Sequence, residues 1–274
     1  MHPEGGPLGL VAGTGALPRR LAEACRAQGR PLFVLALKGI TDPALAETVP
    51  HAWVKLGAVG AALDALRGAG VRDIMLAGPV PRPSFGTMGL DLRTLKLLAD
   101  AGRGGLGDDG LLSMIVRELE REGFNVLAPE AVLGGLAAAV GPLGGVVPGP
   151  VHEADIALGM RVVRALGALD VGQACVVQGG RVLGVEAAEG TDALIERCSG
   201  LGTGPGGVLV KAAKPQQERR VDLPAIGPAT VAVAARAGLA GIAVEAGASL
   251  IIDAAATREA ADAAGLFVVA VPVP

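Results

Sequence analysis

"LGLVAGTGALPRRLAEACRAQGRPLFVLALKG", residues 8–39, decides the fold class. Residues 8–13 form a short apolar run, the length of a buried strand, and end in Gly-Thr-Gly. Residues 17–29 carry apolar side chains at helical spacing and stop at Gly29. Residues 31–39 are a second apolar run. Strand, helix, strand without a hairpin signal is a βαβ unit, whose two strands lie parallel.

The same rhythm continues outward. A helix over 59–70 leads to a buried strand over 71–80, and a helix over 108–123 leads to a strand over 124–129. The run 131–147 is too glycine-broken for a membrane span and reads as a helix end followed by a linker. Glycine and proline crowd 141–150. The expected organisation is α/β throughout: a Rossmann-like parallel-sheet domain over 1–140, a linker over 141–150, and a smaller C-terminal α/β domain with a mixed sheet over 151–274. In that second domain a helix over 154–170 precedes two strands joined at Gly179-Gly180, a hairpin signal. A helix follows at 191–198, then a strand at 207–214, a polar loop to Asp222 and a helix at 228–238. Residues 241–253 read as another hairpin around Gly247, ahead of a helix at 255–264 and a strand at 266–271.

Composition narrows the function. The 274 residues are 51% apolar but only 2% aromatic, with no tyrosine, so bases would find no stacking platform. A net charge of −3 disfavours a broad phosphate-backbone face, and no nucleic-acid partner is expected. Cys25, Cys175 and Cys198 lack zinc spacing and read as small buried apolar residues of a reducing compartment. The start, "MHPEGGPLGL", has no basic region followed by a long apolar run, so a cytoplasmic protein without a signal peptide is expected.

Candidate sites fall at strand ends. Gly13, Thr14 and Gly15 would suit either a phosphate cradle or a tight turn. The motif is no full dinucleotide fingerprint, because Pro18 replaces the third glycine and Lys38 stands where a ribose-holding acid would. In "AGPVPRP", residues 77–83, Gly78 and Arg82 sit beyond a strand's carboxyl end, as a ligand loop or a rigid connection. Asp108 and Asp109 read first as helix caps, with ligand binding as an added duty. The second half is richer: Asp170 and Gln173 in "LDVGQ", Glu186, Glu189 and Asp192 around "EGTD", and Lys211, Lys214, Arg219, Arg220 and Asp222 in "KAAKPQQERRVDLP". Glu245 and Asp253 lie nearby in sequence. Carboxylates with lysines and arginines are the mixture a metal-assisted phosphate reaction requires, with hard oxygens holding Mg²⁺ or Mn²⁺. His2, His51 and His152 are not spaced as metal ligands, and no nucleophile-elbow serine occurs.

These strings, with "LGLVAGTGALP", "GDDGLL", "EREGF" and "AGLAGIAVEAG", occur in the order and spacing of a known family. From Leu8 to Val271 the chain resembles the UDP-2,3-diacylglucosamine pyrophosphatases of lipid A synthesis, the type unrelated to metallophosphoesterases. The resemblance implies hydrolysis of the UDP-linked diacylglucosamine to UMP and the sugar 1-phosphate, with Mg²⁺ or Mn²⁺. It implies substrate held between two domains, a homodimer, and transient peripheral contact with the inner membrane. It places the critical aspartate at Asp222, with Glu189 and Asp192 as further metal ligands. Gly190, Thr191, Lys211 and Lys214 join the substrate contacts. A two-tailed lipid would need an apolar groove, expected along the helix at 154–168. Two other classes stay open: a non-hydrolytic nucleotide-sugar or phospholipid binding protein, and a nicotinamide oxidoreductase.

Overall fold

A computed structural model describes residues 6–80, 91–100 and 108–272. The chain divides into two compact units of nearly equal length, Met1–Gly134 and Gly135–Pro274.

The first unit is the βαβ repeat that its sequence demands. β1 (Leu8–Ala12), β2 (Leu32–Leu37), β3 (His51–Val54), β4 (Asp73–Ala77) and β5 (Asn125–Val126) form one parallel sheet in the order β3-β2-β1-β4-β5. α1 (Leu17–Ala27), α2 (Pro43–Ala46), α3 (Val59–Gly68), α4 (Leu92–Asp100) and α5 (Asp108–Arg121) connect them. Proline stands in the first turn of α1, where no intrahelical donor is lost, and Leu21, Ala22 and Cys25 face the sheet. The strand order reverses direction at β1 and β4, so the carboxyl ends of these two strands form the topological switch point. Arg67, Arg93 and Arg121 pair with Glu118 and Glu122, tying α3, α4 and α5 together by charge.

The second unit is built on a six-stranded mixed sheet. β6 (Gly141–Pro142), β7 (Ala174–Gln178), β8 (Arg181–Val185), β9 (Val208–Lys211), β11 (Gly241–Glu245) and β13 (Phe267–Val271) run in the order β6-β13-β11-β9-β7-β8. β10 (Ala225–Ile226) and β12 (Leu250–Ile251) pair separately, in parallel. α6 (Pro150–Ala168) covers one face, packing Ile156, Met160 and Val163 on Cys175, Val177, Val208 and Val210. α7 (Thr191–Cys198), α8 (Pro228–Arg236) and α9 (Ala254–Ala264) bury Leu194, Ile195, Val231, Val233, Ala234 and Ala261 in the cluster with Val176, Leu209 and Ile242.

Several expectations hold, and several fail for identifiable reasons. β7 and β8 are the antiparallel hairpin, with Gly179 and Gly180 both at positive φ. Its turn is fastened by buried Asp155, which accepts from Gly179 N at 2.8 Å and Gly180 N at 2.6 Å. The hairpin expected at 241–253 does not form. β11 is flanked by β9 and β13, both parallel to it, so no edge remains for β12, which pairs with β10 instead. Residues 131–147 continue no long helix: a single 3₁₀ turn (Pro129–Ala131) is followed by an isolated bridge at Ala137 and then β6. Residues 141–150 therefore lie inside the second unit's fold, carrying β6 and the start of α6. All three cysteines are buried and unbonded. Among the described residues no helix is long and apolar enough to cross a membrane.

Candidate active site

At the switch point of the first unit the two glycine loops are consumed by each other. Gly13 N donates to Ala77 O and Thr14 N to Pro79 O, each at 2.8 Å, and the Thr14 hydroxyl also reaches Pro79 O. A Cβ on Gly13 would stand 2.3 Å from Gly78 O, and one on Gly78, at φ +87°, would stand 2.2 Å from Thr14 O. These glycines let two backbones touch. The N–H groups of Gly13 and Thr14 are thus committed inside the protein, which leaves Gly15 and the first turn of α1 as the part of the motif that could meet an anion. Arg82 lies outside the described residues, as do the side chains of Asp108 and Asp109, although both aspartates open α5.

The second unit gathers its polar residues differently. β8 and β9 each run antiparallel to β7, and β11 runs parallel to β9, so the carboxyl ends of β8, β9 and β11 share one edge of the sheet. In open α/β sheets that edge is where ligands collect. Lys211 ends β9, Glu186 follows β8, Gln173 precedes β7, Thr191 and Asp192 open α7, and Gln217 and Asp222 lie on the loop beyond β9.

Hydrogen bonds join six of these residues in one continuous chain. Lys211 Nζ donates to Thr191 Oγ1 at 2.9 Å, and Thr191 donates to Glu186 Oε1 at 2.6 Å. Glu186 Oε2 accepts from Gln173 N at 3.0 Å. Gln217 Nε2 then bridges Gln173 Oε1 at 3.3 Å and Asp222 Oδ2 at 2.7 Å. Lys211 also donates to Ala225 O at 3.3 Å. Lys211, Glu186 and Gln217 are buried, Thr191, Gln173 and Asp222 half-buried, and Asp192 exposed.

Electrostatics explain how a lysine tolerates this burial. Desolvation pushes the Lys211 ammonium's pKa down, while the carboxylates of Glu186, Asp192 and Asp222 pull it back up. Lys214, also buried, pairs with Asp170 Oδ1 at 2.6 Å. Asp170 is held at φ +55°, a conformation a non-glycine residue adopts only when its surroundings insist. Two residues on, a Cβ at Gly172 would meet Glu186 O at 2.1 Å, so this turn is pressed against the end of β8.

Sequence candidates outside this chain of contacts have other duties. Glu189 is exposed and accepts from Arg197 at 2.7 Å and from Ala187 N at 3.1 Å; the Arg197 bond, first among the causes, lowers its pKa. Gly190 is the N-cap of α7 at φ +82°, and no side chain caps that helix, since the Thr191 hydroxyl is engaged by Lys211 and Glu186. Arg220 binds Glu218, not Asp222. Glu245 accepts from Ala213 N, and Asp253 caps α9. On α6, Ile156, Met160 and Val163 are buried against the sheet, whereas Val151 at its start is exposed and Leu158 and Val162 are only partly covered. An open cleft of about 450 Å³ on α4 and α5, lined by Leu92, Arg93, Lys96, Leu97, Glu118 and Arg121, shares no residue with the polar chain. Gln217 was not singled out from sequence at all; its only signal was a long polar side chain between Lys214 and Asp222.

The donor set decides what cation would fit. Among the described residues no three histidine, cysteine or acidic side chains are arranged as a metal cage. Glu186, Asp192 and Asp222 all act on Lys211, so the acidic groups around it offer carboxylate oxygens alone. That set suits Mg²⁺ or Mn²⁺, which are commonly held by one or two carboxylates with substrate phosphates completing the shell. Glu189 is paired with Arg197.

Comparison with known proteins agrees with the resemblance. The family model for the LpxI N-terminal domain matches residues 7–136, and that for the LpxI C-terminal domain matches residues 139–269. The chain is 46% identical over 274 residues to the UDP-2,3-diacylglucosamine pyrophosphatase LpxI of Caulobacter vibrioides, covering 96% of this chain and 97% of that one.

Proposed function

The chain belongs to the LpxI family, and from that membership we propose that it hydrolyses the diphosphate of UDP-2,3-diacylglucosamine in lipid A synthesis. The products are UMP and 2,3-diacylglucosamine 1-phosphate. Water adds to one phosphorus, the bridging P–O bond breaks, and the second phosphate leaves with the bridging oxygen.

The observation that carries this reading is the buried Lys211 set among Glu186, Asp192 and Asp222 at the carboxyl edge of a sheet. A buried cation ringed by acids is costly to fold, and such groups concentrate at reaction centres. Asp222, with one oxygen held by Gln217, orients the attacking water and takes up its proton. Lys211 and Lys214 bring positive charge to the anionic diphosphate, and the side-chain-free start of α7 offers backbone donors to the same oxygens. Asp192 and Asp222 would hold Mg²⁺ or Mn²⁺, which when bound neutralises charge developing on the phosphoryl oxygens. Substrate engages residues of both units, the protein works as a homodimer, and it meets its lipid at the inner membrane surface as a peripheral protein.

The test is direct. Purified protein with UDP-2,3-diacylglucosamine and Mn²⁺ releases UMP, EDTA stops the release, and added Mn²⁺ or Mg²⁺ restores it. Tight binding of the lipid without any UMP would favour a binding protein instead, and undiminished turnover in EDTA would remove the cation from the reaction.

A further inference from the structure

We propose that Gln217 is a positioning residue, which sets the orientation of the Asp222 carboxylate; this rests on the role given to Asp222 above. Gln217 is buried in the loop beyond β9, and its Oε1 accepts from Lys214 N at 2.9 Å. A backbone N–H can only donate, so this bond fixes which end of the side-chain amide is oxygen. The amino group must then face the other way, where it donates to Asp222 Oδ2 and to Gln173 Oε1. A flipped amide would set its oxygen against two acceptors and its amino group against a donor. One orientation alone satisfies all three partners.

The consequence is geometric. Asp222 N is already fixed to Glu218 O at 3.0 Å, and Pro224 restricts Leu223 to extended backbone. With the main chain held at both sides, the bond from Gln217 removes the remaining freedom of the carboxylate. Oδ1 is then the oxygen left for the reaction. The same amino group also connects Asp222 to Gln173, and through Gln173 N to Glu186, so Gln217 joins the Asp222 end of the polar chain to its Lys211 end.

The experiment uses the full chain with two replacements, Gln217→Met and Gln217→Glu, alone and combined with Asp222→Ala. Methionine keeps length but removes every polar partner. Glutamate keeps the acceptor for Lys214 N but sets a second carboxylate against Asp222, so near neutral pH its unfolding midpoint should lie below wild type. Each single variant, assayed where it is folded, should lose roughly tenfold to a hundredfold in kcat, with KM for UDP-2,3-diacylglucosamine nearly unchanged. In the Asp222→Ala background, assayed with enzyme in excess, the second replacement should cost nothing further, because no carboxylate remains to be oriented. Losses that multiply in the double variant, or a folded Gln217 variant with full kcat beside an inactive Asp222→Ala, would overturn the positioning role alone. Full turnover by Asp222→Ala would remove the role of Asp222 first, and this inference with it.

Discussion

The two units solve the same problem at the carboxyl ends of their strands in opposite ways. Where β1 and β4 end, two glycine loops press backbone against backbone, and the donors of Gly13 and Thr14 are absorbed by Ala77 and Pro79. Where β8 and β9 end, long side chains are buried and satisfy one another across five to forty-four residues of sequence. The first arrangement needs only the absence of Cβ atoms and yields a rigid edge. The second desolvates a lysine and a glutamate, a cost that packing alone would never require. A glycine-rich motif, however suggestive, is therefore the weaker sign of chemistry in this protein.

That contrast can be broken most decisively at Asp222. Asp222→Ala should cost on the order of a hundredfold or more in kcat while still binding substrate and unfolding at the wild-type midpoint. Wild-type turnover would remove chemistry from the second unit's edge. Lys211→Met should act on folding as well as turnover. It leaves Glu186 buried without its cation partner, which costs about 3 kcal/mol in denaturant unfolding. An unchanged midpoint would mean that Lys211 is not the partner on which the burial of Glu186 depends.

On the other side of the comparison, Gly78→Ala puts a methyl group against Thr14 O at a backbone angle alanine resists. About 1–3 kcal/mol of stability should be lost, read as a lower urea midpoint for the first unit. If stability holds while substrate affinity collapses, the loop pair contacts ligand after all. Glu189→Gln should be milder still, leaving kcat and its Mn²⁺ dependence near wild type because Glu189 is paired with Arg197 at the surface. A large rise in the Mn²⁺ concentration required would return Glu189 to the cation.

A separate effect is on pH. Burial, helped by the neighbouring Cys198, raises the Cys175 thiol from its ordinary 9.0 to about 12. The unfolded thiol ionises first, so its contribution to stability is complete below pH 9 and is lost as pH rises toward 12. Comparing unfolding midpoints at about pH 8 and about pH 10.5, Cys175→Val should fall less than wild type. Equal slopes would mean that the thiol ionises in place.

What the sequence revealed follows from range of interaction. β1, β2 and β4 are buried apolar runs beside an amphipathic helix, and such local patterns are legible residue by residue. β3 has only Val54 fully buried, and β6 is a Gly-Pro pair, so neither carries a run to read. Gly247 gave the same local turn signal as Gly179-Gly180, yet only the latter joins paired strands, because the neighbours of β11 arrive from elsewhere in the chain. In the site, Lys211, Lys214 and Asp222 stood out by charge. Gln217 is neutral, and its importance depends on Gln173, which only the folded sheet brings to it.

The pairing of β13 has a consequence for the order of events during synthesis. It is the last strand made, yet it lies between β11 and β6, and through β6 it reaches back to Pro142. The first unit has all its strands in hand once Val126 has left the ribosome. The second must wait with one edge of β11 bare until Phe267–Val271 arrives, and contacts this distant in sequence form slowly. During that interval an apolar, unpaired strand edge is on offer to any passing partner. A chain truncated just before Phe267 should therefore be a chaperone client and a focus of aggregation, while one truncated just after Gly134 should fold.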